Sequence, residues 1–260
     1  MNEKIAAWTA IILAGQRPGV DGLAAHFGET YKALVTIGGA PMVTHVVRTI
    51  SACPSVAHIV VLAQDPGVIA AAVAQGGEAK IMASKAGISA SILAVAGTEF
   101  APWPVFVTTA DHPLLTPEMV EHFIAQSQSG DLAVGMVERD VILAHYPENK
   151  RTWLKFSDGA WSGANLFALR TEKARAALTL WAEAEQDRKK ALKLFLHFGP
   201  WLALRAITRT IGLDHAFALA GKRLGLSAKL VALPFAEAAI DVDKPSDHSQ
   251  AETILRARLA

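Results

Sequence analysis

Cysteine is almost missing from this chain. Cys53 stands alone among 260 residues, so no internal disulfide can form and nothing calls for an oxidising compartment. Net charge is nearly missing too: 25 Lys/Arg face 24 Asp/Glu, which leaves no overall field to draw in nucleic acid, and no nucleic-acid partner is expected. Long apolar runs are absent as well. The most apolar segment, 191–207, is broken by Lys193, His197, Pro200 and Arg205, short of the ~18 clean residues that span a bilayer. Lys4 followed by the run 5–15 resembles a short signal-peptide core. Glu3, however, sits where such a leader is basic, and the run passes straight into a Gly/Arg/Lys loop, as a buried first strand would. A cytoplasmic location is the resulting expectation. Internal repeats and low-complexity linkers are not seen.

What the chain does have is apolar substance, 52% hydrophobic against 19% charged, the reverse of the disordered signature. β-rich runs at 9–14, 58–63, 80–83 and 105–110 alternate with helical patterns at 42–51, 67–75, 89–97 and 117–128. Pro41 and Pro117 sit where a first helical turn tolerates proline. This alternation predicts an α/β fold, a Rossmann-like, mostly parallel sheet with helices on both faces. The first and fourth runs are nearly continuous in apolar residues, as strands covered on both sides are. Beyond residue 130, β-like stretches at 132–138 and 153–169, the second interrupted by Ser157-Asp158-Gly159, predict a mixed sheet edge. Residues 171–227 are almost wholly helix-forming, with breaks at Gly199-Pro200, Gly212 and Gly221, and read as a helical insertion within a single domain spanning 1–260. A strand at 229–233 and a helix at 246–259 close the chain.

Strand one ends in Leu13-Ala14-Gly15 and opens onto a loop holding Gln16, Arg17, Gly19, Gly22 and, further on, Lys32. In a parallel sheet ligands bind beyond the carboxyl ends of strands. Glycines there let backbone N–H groups approach a phosphate, and Arg17 and Lys32 can neutralise it. Taken alone, such a loop is an ordinary surface turn. The fourth strand runs into Asp111-His112-Pro113. A carboxylate at the tip of a buried strand costs several kcal/mol to desolvate unless paired or metal-bound; the plain alternative is that Asp111 caps the turn before Pro113. A hard cation such as Mg2+ takes carboxylate and phosphate oxygens. Asp241-Val242-Asp243 supplies two more carboxylates, which an extended backbone turns to one side.

Taken in order, Leu13-Ala14-Gly15, the Arg17 loop, Lys32-Ala33-Leu34, Gly39-Ala40-Pro41-Met42, Asp111-His112-Pro113 and Asp241-Val242-Asp243-Lys244-Pro245-Ser246-Asp247 resemble the MobA-like nucleotidyltransferase family. The chain departs from the family pattern at Gln16, where a second glycine is common, at Pro18-Gly19 in place of Met-Gly, and in a longer loop. The resemblance implies transfer of a nucleoside monophosphate from CTP or GTP to a phosphorylated acceptor, with release of pyrophosphate. It implies that Leu13, Ala14, Gly15, Arg17 and Lys32 hold the triphosphate, and that Asp111 with Asp241 or Asp243 binds Mg2+. Gly87, Ser89 and Ser91 would contact base and ribose; Ser162, Gly163 and Asn165 would contact the acceptor; Asp247 would cap the last helix. Molybdopterin, a phosphorylated sugar or polyol, and a phospholipid-type head group all remain compatible acceptors. Two rival readings are a metal-dependent glycosyltransferase, for which Asp241-Val242-Asp243 would be the metal motif, and a non-catalytic nucleotide-binding regulator. Glycosyltransferases of the related fold lack the Gly/Arg…Lys loop.

Charge is sharply segregated. Residues 170–230 hold twelve Lys/Arg against five Asp/Glu, a net +7 that leaves −6 on the remainder if the formal total is +1. Leu192, Leu194, Phe195, Leu196, Phe198, Trp201, Leu202 and Leu204 form an apolar stretch flanked by Lys189, Lys190, Lys193, Arg205 and Arg209. This mixture suits a peripheral contact with an anionic membrane. It equally suits a packed helical subdomain or a homodimer surface.

Overall fold

The computed structural model describes residues 7–16, 19–149, 151–186 and 199–259. Arg17 and the apolar residues Leu192, Leu194, Phe195, Leu196 and Phe198 lie outside the described residues.

The first half of the chain alternates strand and helix. It runs β1 (Trp8–Leu13), α1 (Gly22–His26), the hairpin β2 (Thr36–Ile37) and β3 (Ala40–Pro41), and α2 (Met42–Ser51). Then come β4 (Val56–Ala63), α3 (Pro66–Gly76), β5 (Lys80–Ala83), α4 (Ile88–Val95), β6 (Val105–Thr109) and α5 (Pro117–Gln126). The second half holds β7 (Leu132–Glu138), α6 (Arg139–His145), β8 (Leu154–Phe156), β9 (Gly159–Leu169) and α7 (Arg175–Gln186). It ends with α8 (Pro200–Ile207), α9 (Leu213–Arg223), β10 (Ala228–Ala232) and α10 (Pro245–Leu259).

Side chains alternate along β1, and both faces are apolar, so helices must cover both. Ala10 and Ile12 join Val43, Val46 and Val47 of α2 and Val120 and Phe123 of α5 in one core. Ile11 joins Ile92 and Val95 of α4 in the other, together with Val105 and Val107 of β6. The main sheet has the order β10-β7-β9-β6-β1-β4-β5, with β8 paired to β9. β5, β4, β1 and β6 are parallel, whereas β9 is antiparallel to both β6 and β7. The mixed end of the sheet therefore includes an interior antiparallel strand with β7 and β10 beyond it.

The expected strands and helices recur within a few residues at each end. Gly199 and Gly212 do stand at helix starts, before α8 and α9. Gly221 is different: it lies inside α9 and breaks nothing. A Cβ on it would come within 2.6 Å of the Ala228 Cβ, so the glycine serves the close approach of β10 to α9. Pro41 ends β3 and is the N-cap residue of α2, one step before the first turn. α1, α6 and the β2–β3 hairpin were not expected. Among the described residues no helix is long and apolar enough to cross a membrane.

A smaller core lies under the carboxyl ends of the central strands. Leu23, Val35, Ile37, Met42, Leu114, Ile240, Val242 and Ala251 pack together there. It joins α1, the hairpin, the turn after β6 and α10, and these are the pieces that carry the polar residues singled out in the sequence.

Candidate active site

β1 and β6 are adjacent and in register, Leu13 opposite Thr109, so the loops that follow them leave the sheet side by side. The first loop is held by Gln16. Its Oε1 accepts from the Lys32 backbone N–H at 3.0 Å, and its Nε2 donates to Thr30 O at 3.2 Å. Its own backbone N–H donates to Gln64 Oε1 at 3.2 Å, while Gln64 Nε2 donates back to Gln16 O. A side chain thus closes the base of the loop where the family commonly has a second glycine. Gly15 is exposed, and a Cβ there would lie 3.3 Å from Gln64 Oε1; the small residue keeps that approach open.

Lys32 begins a short 3-10 turn, Lys32–Leu34, that runs into the hairpin. α10 holds the hairpin down: Glu252 Oε2 accepts from Gly38 N at 2.7 Å, and His248 Nε2 hydrogen-bonds Thr36 O at 2.8 Å. The same helix fixes the late acidic segment. Asp247 Oδ2 accepts from the backbone N–H of both Asp243 and Lys244 at 3.2 Å, the backward contact an acidic residue makes from inside a first turn.

These supports bring Lys32 Nζ against Asp111 Oδ2 at 2.6 Å and against Asp243 Oδ1. Burial pulls the Lys32 ammonium towards lower pKa, but the charge and hydrogen bond of Asp111, with those of Asp243, outweigh it and hold the pKa above the ordinary lysine value. Asp111 Oδ1 is buried with no hydrogen-bond partner among the described residues. The Asp111 carbonyl accepts from Val242 N at 2.9 Å, which lays the acidic segment alongside the turn. Val242 points into the small core and is fully buried, while Asp241 and Asp243 flank it.

Asp241 has different partners from Asp243. The Arg151 guanidinium bonds it, and Asn165 Nδ2 donates to its Oδ2 at 3.3 Å. Burial pushes the Asp241 carboxyl up, yet the charge and hydrogen bond of Arg151 outweigh burial and hold it below its usual range. Arg151 Nε also reaches Ser162 Oγ at 3.2 Å. Asn165 gets there through a bulge. The β7–β9 register slips between Val134, opposite Phe167, and Met136, opposite Gly163, and Asn165 takes φ 52. Such a bulge re-aims a side chain at the cost of local strain. Gly163 is exposed with open space where a Cβ would stand.

Gly87 is the N-cap residue of α4 and offers no side chain to it. Ser91 Oγ donates to Gly87 O at 2.7 Å and accepts from Lys85 N at 2.8 Å, so that hydroxyl closes the turn. Ser89 is fully buried and its hydroxyl has no partner among the described residues. His112 is buried beside Asp111, its Nε2 3.3 Å from Glu237 O, and desolvation holds its pKa below the usual value.

Lys32, Asp111 and Asp243 thus meet in one cluster, and Asp241, Ser162 and Asn165 in a second around Arg151. A family model, the MobA-like NTP transferase domain, matches residues 10–196, most of the chain. The chain belongs to this family. Among curated proteins, the 3-deoxy-manno-octulosonate cytidylyltransferase of Anaeromyxobacter dehalogenans (strain 2CP-C) is 30% identical over 132 residues, 46% of this chain and 54% of that one. The match therefore spans about half the length of that relative. A solved structure described as a hypothetical transferase from Thermus thermophilus superposes with a TM-score of 0.77 at 28% identity, covering 92% of this chain and 98% of that one. The fold is shared, at 16% identity and a TM-score of 0.57, with CMP:2-keto-3-deoxy-manno-octonic acid synthetase solved with CTP, over 96% and 99% of the two chains.

For this MobA-like nucleotidyltransferase the sequence did not reveal three polar residues that the structure brings against the segments singled out above: Arg151 and Gln64, and Glu185 at the start of α4. Arg151 sits in a loop with no periodic pattern, and its role depends on Asp241, 90 residues away. Gln64 follows β4, and its position at a strand end next to β1 is the one signal that could have found it. Glu185 belongs to α7 and reaches α4 only through the packing of the two helices.

Proposed function

We propose that the protein transfers a nucleoside monophosphate from a nucleoside triphosphate to a phosphorylated acceptor and releases pyrophosphate. The observation that carries the reading is the Lys32 ammonium between Asp111 and Asp243 at the mouth of two adjacent parallel strands. Magnesium fits the donor set. Asp111 presents a buried oxygen with no partner among the described residues, and Asp243 a well-exposed carboxylate. Among the described residues no group of three or more His, Cys, Asp or Glu gathers to hold a metal, which agrees with an ion that takes one or two carboxylates and leaves the rest to phosphate and water. When bound, Mg2+ would supply charge neutralisation to the triphosphate.

Lys32 would turn from the carboxylates to the α- and β-phosphates and stabilise charge on the departing pyrophosphate. Arg17 is assigned the same task by resemblance. Leu13, Ala14 and Gly15 would bring backbone groups to the phosphates; Gly87 would line the base and ribose, with the buried Ser89 supporting it from behind. Arg151, Ser162 and Asn165 would hold the acceptor, with Asp241 fixing the guanidinium. Holding two reactants in line accounts for much of the acceleration such a site can give. Asp111, Asp241 and Asp243 are each engaged by a cation and His112 is buried. This supports an acceptor whose attacking oxygen is already ionised, as a phosphate is. CTP is the first donor to test because the curated relative is named as a cytidylyltransferase, with GTP as the second.

The test is pyrophosphate release with Mg2+ and CTP or GTP against sugar, polyol and lipid-head-group phosphates and molybdopterin. A nucleotide- and acceptor-dependent signal is expected. Its absence with every pairing, from protein that binds neither nucleotide, would overturn the reading in favour of a different ligand.

A membrane-presented acceptor is supported by one observation. On α8, Trp201 is 69%, Leu204 50% and Ile207 76% exposed, beside Arg205 and Arg209. An apolar face with Trp and flanking cations suits a bilayer interface. Co-sedimentation with anionic vesicles at low salt and none with neutral vesicles is expected. Lack of binding to either would assign that face to packing or to a homodimer.

A further inference from the structure

α7 comes from the helical segment between β9 and β10, yet it packs along α4, and the two helices are tied at opposite ends. At the start of α7, Arg175 Nη1 donates to Ala96 O, past the end of α4, at 3.1 Å. In its last turn, Glu185 Oε2 accepts from the Ser89 backbone N–H at 3.3 Å. Between these ties Leu178 shares a core with Ile92 and Val95, and Trp181 packs edge-on against Phe167 at 5.6 Å. A cation at one end of α4 and a carboxylate at the other complement its dipole. Gly87 makes room: a Cβ there would come within 2.9 Å of Glu185 Oε2.

We propose that Glu185 reads the nucleotide base and makes the site prefer cytosine to uracil. The inference rests on the nucleotidyltransferase reading and on residues 87–91 as the base-contacting segment. Glu185 Oε2 is committed to Ser89 N–H and the side chain is otherwise exposed; among the described residues Oε1 has no partner, so it can accept a hydrogen bond from a base lying beside the partly exposed Gly87. An ionised carboxylate can only accept. The base must therefore present an N–H, and cytosine offers its exocyclic amino group at the position where uracil, like thymine, offers a carbonyl oxygen. Guanine would present two adjacent donors to a carboxylate with one oxygen already taken, so the single-donor edge of cytosine is the better match. A hydrogen bond to a charged group, set against two facing acceptors, gives a discrimination of about ten- to a hundred-fold. The helices between β9 and β10 would then contribute a wall of the nucleotide site.

The test is equilibrium binding of CTP and of UTP, with Mg2+, by the full chain and by Glu185→Gln and Glu185→Ala. The wild type should favour CTP by about ten-fold or more. Glu185→Gln offers an amide that can donate to the uracil carbonyl, so it should bring the ratio to within about three-fold of unity, largely by gaining UTP affinity. Glu185→Ala should narrow it by losing CTP affinity. Thermal melting separates this from lost helix capping, because capping alone lowers stability and leaves the CTP:UTP ratio where it was. A wild type with no preference, or a preference untouched by both variants, would overturn the inference while leaving the nucleotidyltransferase reading in place. Failure of the wild type to bind any nucleoside triphosphate would overturn both.

Discussion

Lys32 and Asp111 are 79 positions apart in sequence and 2.6 Å apart in space, with Asp243 on the same ammonium. The cation keeps two carboxylates together that would otherwise repel each other. It also marks what a metal–triphosphate complex would replace: Asp111 and Asp243 would hold the ion, and the Lys32 ammonium would be free to meet the phosphates.

Replacing Asp111 by Ala should abolish Mg2+-dependent turnover with the fold retained, since the side chain ends a strand and packs no core. Circular dichroism and pyrophosphate release measured on the same sample check both halves. Near-normal release would remove Asp111 from the metal site.

Lys32→Ala should weaken triphosphate binding and slow transfer by about a hundred-fold or more, the scale seen when one preorganised electrostatic partner of a transition state is lost. Unchanged nucleotide kinetics would show that the ammonium serves only to bridge Asp111 and Asp243.

Arg151→Met should raise KM for the acceptor and leave nucleotide affinity nearly unchanged, because Arg151 contacts Asp241 and Ser162 in the second cluster. Steady-state kinetics with each substrate varied in turn measures the split. An equal loss on both sides would place Arg151 in the nucleotide half.

Much of the fold was legible because short β-rich runs and helical patterns alternate, and a strand apolar on both faces has to lie centrally. Asp111 was legible as a carboxylate just past a strand end, Lys32 as a cation in the first loop and Asp243 as one of two closely spaced carboxylates before the last helix, while their meeting was implied only by the resemblance. The bulge in β9 was not. It faces Gly135, at the register shift, where a Cβ would stand 3.1 Å from the Leu166 Cβ and 3.3 Å from side-chain atoms of Leu233 and Phe123, contacts between residues far apart in sequence. Arg151 and Glu185 were hidden for the same reason: each acquires its role from a partner that only tertiary packing supplies.

Gly135→Ala should therefore destabilise the protein by about 1–3 kcal/mol through overpacking, read as a lower denaturant midpoint. It should also raise acceptor KM by moving Asn165. A variant as stable as the wild type would show that the bulge tolerates the extra carbon.

Cys53 is 3% exposed and donates from Sγ to Thr49 O. Burial, with a smaller push from Glu121, raises its thiol to about 12. At pH 8 the folded thiolate fraction is then on the order of one in ten thousand, and alkylation should be slow until the protein unfolds. The sign for stability follows. The unfolded thiol ionises first, so stability is undiminished below its ordinary pKa and falls as pH rises from that value towards 12. Rapid alkylation of native protein at pH 8 would contradict the buried, protonated thiol.

The most direct measurement is calorimetric titration of CTP and GTP into the wild type, Lys32→Ala and Asp111→Ala, each with and without Mg2+, since binding needs no acceptor. The expected result is tight binding to the wild type only with Mg2+, weakened binding to Lys32→Ala, and loss of the Mg2+ dependence in Asp111→Ala. Binding of equal strength to all three proteins, with or without the ion, would contradict a metal–triphosphate site built on Lys32, Asp111 and Asp243.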